Sequence, residues 1–234
     1  MAVELRLPEA AESSTEAGVR PIRYWNGTPV PYITAWSGEQ GPGQPIKRIR
    51  GRGGTGLGFQ DEHHFDRQYG VLWARKPVTR GGRPVFDEVH PLRQRQAMSR
   101  LLCQVCGGPT GSRRDERSLF MVASPSGRLI EEGQVVVAPP VHRVCAEEAR
   151  EHCPSLRKGW TAALVGYAPV WGVSGQIFDP DTLDLLPGDK NGMNKVPFTA
   201  STLLRWTLAA ALMVALKDVL PVADLAEAIE GGAG

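Results

Sequence analysis

Four cysteine and histidine side chains in two short pairs constrain this chain more than any other feature of its sequence. Cys103 and Cys106 form a C-x₂-C pair, and His142 and Cys145 form an H-x₂-C pair further along the chain. Thiolates and imidazoles are the ligands that Zn²⁺ prefers, and four of them complete its tetrahedral coordination. The pattern therefore predicts one zinc ion held by these four residues.

The order of elements around the two pairs points to a class of zinc site. The first pair lies in a short turn with Gly107 directly after it, and strands predicted at 118–124 and 129–138 would form a hairpin. The second pair lies at the start of a helix predicted over 145–152. This arrangement resembles the treble-clef class of zinc fingers, which implies a zinc subdomain over residues 101–158. His142 departs from the class, in which a second C-x₂-C pair is commoner.

Cys153 is an alternative fourth ligand. It lies two helical turns beyond Cys145, roughly 12 Å along a helix axis, so both could reach one ion only if the helix broke between them. We therefore predict the set Cys103, Cys106, His142 and Cys145, with Cys153 as a small apolar side chain. Four protein ligands leave no coordination position for water, so the predicted zinc is structural and no catalytic residue is assigned to it.

A wider resemblance covers most of the chain. The runs His90–Arg95 (HPLRQR) and Leu101–Gly108 (LLCQVCGG), together with the early segment from Pro21 to Ile33, are similar to an uncharacterised family of proteins from high-GC bacteria. The resemblance brings no established activity. It implies one integrated unit rather than a zinc finger on a linker.

The fold class follows from short elements separated by many turns, since the chain has 27 glycines and 19 prolines. Asn26-Gly27 predicts a two-residue hairpin turn, because both positions of a type I′ turn need positive φ. Residues 1–19 are acidic and small, which is typical of a disordered tail. We predict an α+β protein in which residues 20–234 form a single domain, with short antiparallel strands and hairpins around a zinc treble clef.

The C-terminal region contains the most apolar stretch of the chain. Residues 203–219 are apolar nearly all round, which predicts a deeply buried helix within a helical segment spanning 199–230. The alternative is a surface for self-association or for a protein partner. The stretch contains Arg205 and is too short to span a bilayer. The N-terminus also lacks the basic and apolar regions of a signal peptide, so we predict a cytoplasmic protein with no membrane contact.

Charge is unevenly distributed although the net charge is only +2. Residues 41–114 carry a local charge of +9 and residues 115–234 a local charge of −5. A basic region beside a zinc scaffold predicts binding of DNA or RNA, whereas the alternative is that the basic and acidic regions face each other. The residues predicted to contact nucleic acid are Lys47, Arg48, Arg50, Arg52, Arg93, Arg95 and Arg100.

Three histidines outside the zinc pattern support an enzymatic alternative. His90 lies in a run, Asp87 to Leu92, similar to the histidine motif of HNH-type nucleases, although that motif would lie between the two ligand pairs. His63 and His64 lie among three carboxylates and could bind a second metal. A metal-dependent hydrolase or nuclease using these histidines is therefore an alternative, and a zinc-stabilised binding protein is the leading hypothesis.

Overall fold

The fold is seen in a computed structural model, which describes residues 3–8, 16–41, 43–51, 53–111 and 117–225. It is mixed α/β, with five small sheets and three α-helices in the described residues. Nearly all strand pairs are antiparallel, as predicted. None of the described helices is long and apolar enough to span a membrane.

The N-terminal sheet contains the hairpin predicted at Asn26-Gly27. Both residues have positive φ, 50° and 75°, and the register pairs Trp25 with Thr28 across a two-residue turn. The third strand comes from residues 4–6, which lie in the segment predicted as a disordered tail, whereas residues 9–15 lie outside the described residues. The strands are β1 (Glu4–Arg6), β2 (Ile22–Trp25) and β3 (Thr28–Val30).

Two further pairs of strands lie outside the larger sheets. One joins β4 (Thr34–Trp36) to β9 (Pro84–Val89). The other is a hairpin in which β5 (Ile46–Gly51) pairs in continuous register with β6 (Gly54–Phe59). This hairpin carries the short basic segment of the sequence on β5.

The largest sheet has six strands, in the order β14-β13-β15-β8-β7 with β11 also paired to β15. Its strands are β7 (Arg67–Gln68), β8 (Val71–Trp73), β11 (Val135–Val136), β13 (Val170–Ile177), β14 (Asn194–Pro197) and β15 (Thr207–Ala215).

The remaining sheet has three strands, β10 (Ser118–Ala123), β12 (Trp160–Tyr167) and β16 (Lys217–Val222), in the order β10-β12-β16. Successive side chains of a strand point to opposite faces. Leu119 and Met121 of β10 accordingly pack in one hydrophobic cluster with the predicted metal ligands, whereas Phe120 packs in a second cluster with β15. This sheet therefore separates the two main cores of the protein.

The prediction of a buried C-terminal helix was wrong. Within the described part of the segment, helix occupies only α3 (Ser201–Leu204), and most of residues 207–222 lies in β15 and β16. Residues 226–234 of the predicted segment lie outside the described residues. β15 pairs with β13 on one edge and with β8 and β11 on the other, so both its edges are paired, and most of its side chains are buried or half-buried. A strand in that position has a continuous run of apolar residues. Periodicity alone does not distinguish such a run from a buried helix.

A helix side chain completes the edge of β15. Helix α1 (Pro91–Ser99) begins with proline at its first position. The buried amide of Gln94 in α1 accepts a hydrogen bond from Leu212 N at 2.8 Å and donates one to Leu212 O at 2.9 Å. The Gln94 side chain thus occupies the part of the β15 edge that lies between β8 and β11, and it makes the two hydrogen bonds that a neighbouring strand would make.

A buried ion pair attaches α1 to the segment after β4. Arg93 donates to both carboxylate oxygens of Glu39, at 2.7 and 2.6 Å, and to Thr34 O at 2.6 Å. Glu39 also accepts bonds from Trp36 N and Arg80 N. Burial raises the pKa of Glu39, but these hydrogen bonds outweigh it and lower the pKa from 4.5 to about 2. Arg93 is 2% exposed, so its prediction as a nucleic-acid contact was wrong.

Replacement of Glu39 by glutamine should leave the Arg93 guanidinium buried without a counter-charge, at a cost of about 3–5 kcal/mol. Glu131→Gln is the matched control, since Glu131 pairs with Arg128 at the exposed surface and its loss should cost less than about 1 kcal/mol. Urea unfolding monitored by circular dichroism measures both variants.

The same pair should make stability pH-dependent. Because the folded pKa of Glu39 lies below its ordinary value of 4.5, its stabilising effect is complete above that pH and is lost as pH falls toward 2. Glu39→Gln should lack this part of the acid dependence. Equal losses for the two glutamine variants, or an unchanged acid profile in Glu39→Gln, would show that the pair does not hold α1.

Candidate metal centre

The four predicted ligands come from two elements that meet in the core. Cys103 and Cys106 lie in a tight turn shortly after α1, in which Gly107 N donates to Cys103 O at 2.8 Å and Gly107 has a φ of 74°. His142 is the N-cap residue of α2 (Arg143–His152), and Cys145 lies in its first turn. A turn and a helix start, widely separated in sequence, thus present two side chains each.

The ligand atoms have the spacing that one metal ion requires. The three Sγ atoms and the imidazole nitrogen all lie within 4.8 Å of one another. His142 Nδ1 lies 3.3 Å from Cys106 Sγ and 3.9 Å from Cys145 Sγ. A tetrahedron with Zn–S bonds near 2.3 Å and a Zn–N bond near 2.0 Å has edges of roughly 3.5–3.8 Å. These four residues could hold a metal ion, and the donor set is compatible with zinc.

The imidazole of His142 is oriented by a backbone carbonyl. Its Nε2 lies 2.8 Å from Pro109 O, and a carbonyl oxygen only accepts, so Nε2 carries the proton and donates. The lone pair of the neutral ring is then on Nδ1, the atom that faces the cysteines. Such a hydrogen bond behind a histidine ligand fixes its tautomer and raises its basicity.

Backbone N–H groups surround the sulfur atoms. Cys106 N and His142 N each lie 3.5 Å from Cys103 Sγ, and Gly108 N lies 3.4 Å from Cys106 Sγ. These donors stabilise thiolate charge, which metal binding needs. The turn and the start of α2 therefore provide the electrostatic environment as well as the ligands.

The neighbouring groups of the cluster shift one another's pKa values in opposite directions. Hydrogen bonds from Cys103 and Cys145 lower the pKa of Cys106, and those with Cys103 and Cys106 raise the pKa of Cys145. Burial lowers the pKa of His142, but the neighbouring sulfurs outweigh burial and raise it to about 11. The four groups thus favour a positive charge at their centre.

The whole cluster lies inside the protein. All four ligands are buried, with Cys103 and Cys145 fully inaccessible. They pack among Ile22 and Tyr24 of β2 and among side chains of β10 and β12. An ion bound by all four residues would have no open coordination position for water.

Cys153 does not belong to the cluster. It is the C-cap residue of α2, which runs unbroken from Arg143 to His152, so the helix keeps Cys153 away from Cys145. The group of metal-ligating side chains found among the described residues contains His142 instead.

The hairpin expected between the ligand pairs does not form. β10 pairs with β12, and β11 pairs with β15, so the two strands between Cys106 and His142 belong to different sheets. The turn and the helix start fit a treble clef, but the intervening structure does not, and that class is not confirmed. The sequence predicted the positions of β10 and β11 closely. It did not predict their pairing partners, β12 and β15, which lie further along the chain.

The residues predicted to contact nucleic acid are divided among different environments. Lys47, Arg48 and Arg50 are exposed on β5, and Arg100 is exposed at the end of α1. Arg95 stacks over Trp73, with its guanidinium carbon 4.3 Å from the ring centre. Arg93 is buried against Glu39, and Arg52 lies outside the described residues. Among the described residues of this set, the fully exposed ones lie on β5 and at the end of α1.

The histidines of the enzymatic alternative are not brought together. His90 is fully buried, with Nε2 3.1 Å from Pro77 O, and burial lowers its pKa. His63 and His64 are exposed, and the nearby carboxylates of Asp66 and Glu62 pair with arginines. The described residues form no second cluster of metal ligands. His90 therefore cannot act on a solvent-borne substrate in this fold.

Two contributors to the centre escaped prediction. Glu16 accepts bonds from Arg143 N and Val144 N at 2.9 and 3.1 Å and so caps α2 beside two ligands. Pro109 provides the carbonyl behind His142. Glu16 lay in the predicted tail, and a backbone carbonyl leaves no signal in a sequence.

Comparison of the chain with protein-family models, curated proteins and solved structures found no match. Neither the treble-clef resemblance nor the resemblance to a bacterial family therefore gains support. The geometry of the four side chains is therefore the main indication of function.

Cys145→Ser and Cys153→Ser provide a matched pair of variants on one helix. We expect Cys145→Ser to bind less than a tenth of an equivalent of zinc, because three ligands remain, and Cys153→Ser to keep one equivalent. Elemental analysis of untagged, desalted protein measures both. Full zinc content in Cys145→Ser together with loss in Cys153→Ser would contradict the ligand set.

Proposed function

We propose that the protein is a zinc-stabilised binding protein in which Zn²⁺, held by Cys103, Cys106, His142 and Cys145, has a structural role. The observation that carries the proposal is the convergence of four buried ligand atoms within 4.8 Å, supplied by two elements distant in sequence. The orientation of His142 by Pro109 O adds support, because it leaves the nitrogen that faces the sulfurs free to coordinate.

The energetic scale supports a structural role. A structural zinc site contributes about 10–16 kcal/mol of apparent binding free energy. A domain has a net stability of about 5–15 kcal/mol. An ion that joins the turn at Cys103–Cys106 to the start of α2 can therefore decide whether this half of the protein folds.

Metal removal tests the structural role. Dialysis against a strong chelator should lower the melting temperature by more than 15 °C and expose amides of the turn and of α2 to hydrogen exchange. One equivalent of zinc should restore both. Cys153→Ser, which keeps every ligand, is the control and should respond like the wild type. A chelated protein with unchanged melting and exchange would contradict a structural ion.

Binding of DNA or RNA is the second candidate, now restricted to the β5–β6 hairpin. Its support is the exposure of Lys47, Arg48 and Arg50 on one strand. Arg48 also bonds to the backbone oxygen of Asp181, and its charge acts on Asp179, so part of the basic charge is offset by acidic residues.

A charge-matched comparison tests nucleic-acid binding. Lys47, Arg48 and Arg50 are replaced together by glutamine, and the control replaces the exposed Arg128, Lys158 and Lys190. Fluorescence anisotropy at low salt should show binding that weakens steeply as salt rises and that falls at least tenfold in the β5 variant alone. Equal losses in both variants, or flat titrations with duplex DNA, single-stranded DNA and RNA, would remove this candidate.

A further inference from the structure

A cavity of about 490 Å³ lies beside the metal centre, between strands β10 and β11 and the C-terminal end of α2. Its walls are mostly apolar and include Val105 of the ligand turn, Val141 beside His142, and Leu156. A second cavity of about 580 Å³ shares Pro31, Val105, Ala149, Cys153 and Ser155 with the first. Their volumes are in the range of ligand sites. We call the first cavity the cleft.

One wall of the cleft is the free edge of β10, which ends its sheet in the described residues. Val141 N donates to Leu119 O at 2.8 Å, so the carbonyl of Leu119 points away from β12. Backbone groups alternate in direction along an antiparallel strand. The N–H and C=O groups of Met121 and Ala123 therefore also point away from β12, and both residues line the cleft.

A second wall is the outer edge of β11. Leu216 N donates to Gln134 O at 2.9 Å, and Val136 pairs with Val214, so the carbonyl of Gln134 and the backbone groups of Val136 point toward β15. By the same alternation, Val135 directs its backbone groups to the opposite side. Val135 also lines the cleft. Two strand edges from different sheets thus border one apolar cavity.

These edges favour an occupant with its own backbone. Strand edges that adjoin an apolar cavity can be satisfied by a further strand, which supplies N–H and C=O groups at the spacing of a ladder. A hydrocarbon or an aromatic ring supplies neither. Alternate side chains of an added strand would meet the apolar walls.

In the part of the chain that the structure describes, the cleft carries a single positive charge. Lys195 is the only charged side chain among the described residues that line it, and it forms no salt bridge within the described part of the chain. Lys195 also lines an adjoining cavity together with Ala123 and Val135, one residue from each of the two strand edges. An ammonium group that lines an apolar cleft is complementary to a terminal carboxylate.

We propose that the cleft binds the C-terminal segment of a peptide in extended conformation, with its carboxylate on Lys195 and its backbone on the edges of β10 and β11. The lining strands present three to five residues each, which corresponds to an added strand of roughly 10–16 Å. The proposal goes beyond the structural zinc, because it rests on strand edges and on Lys195, none of which ligates the ion.

Two random heptapeptide libraries test the proposal on immobilised, zinc-loaded full-length protein. One library has free C-terminal carboxylates, and the other is amidated. Peptides enriched from the first are labelled at the N-terminus and titrated by fluorescence anisotropy. We expect apolar sequences from the carboxylate library and at least a tenfold weaker affinity for their amidated forms.

Two variants and one control locate the binding site. Lys195→Met removes the charge, and Ala123→Pro removes an outward N–H without removing a bond to β12. Each should weaken peptide binding at least tenfold. Lys190→Met is the control, because Lys190 acts on the same Asp189 as Lys195 but does not line the cleft, and it should leave affinity unchanged. Zinc content and melting temperature are measured for every variant.

Other outcomes would overturn the proposal. Equal enrichment from both libraries, or selected peptides that bind Lys195→Met and Ala123→Pro normally, would show that the cleft takes no peptide C-terminus. Binding of octanoate that depends on Lys195 but not on Ala123 would identify a site for small carboxylates instead. A dimer in light scattering that Ala123→Pro dissociates would assign the edge to a second copy of the chain.

Discussion

The convergence of three thiols and one imidazole is the constraint on which the rest of this structure depends. The ligands link a turn that follows α1 to the first turn of α2, two elements far apart in sequence. The hydrophobic cluster around them reaches β2, β10 and β12. Because a domain has little stability to spare, a metal ion bound at this point would stabilise the contact between these elements.

The clustering of Cys103, Cys106, His142 and Cys145 could be predicted because it depends on chemistry and short spacing. Two residues between ligands suit a tight turn or a helix start, and both were found where the sequence placed them. The hairpin at Asn26-Gly27 was equally local, since its turn requires positive φ at two adjacent positions. Both features depend only on residues that are a few positions apart in the sequence.

Strand partners could not be predicted in the same way. β10 and β11 are close in sequence, yet each pairs with a strand that the sequence offers no reason to choose. The run 207–215 is rich in alanine and leucine, which favour helix locally, but it lies at the centre of a six-stranded sheet. Tertiary pairing outweighed local preference there, and the same pairing left the edges of β10 and β11 bordering one cavity.

The sequence also predicted a wrong role for a buried charged residue. Arg93 contributed to the basic region of the sequence, yet its partner Glu39 lies 54 residues away and both are buried. A count of charges along the chain does not distinguish a solvated arginine from one that holds a helix in place. The remaining exposed basic residues of β5 make a smaller surface than the sequence indicated.

X-ray absorption at the zinc edge on untagged protein tests the central claim most directly, because it reports the atoms bound to the metal. The structure predicts three sulfur neighbours at about 2.3 Å and one nitrogen neighbour at about 2.0 Å, with an imidazole scattering pattern that disappears in His142→Cys. Four sulfur neighbours in the wild type, or a shell that includes water oxygen, would contradict the closed site formed by Cys103, Cys106, His142 and Cys145.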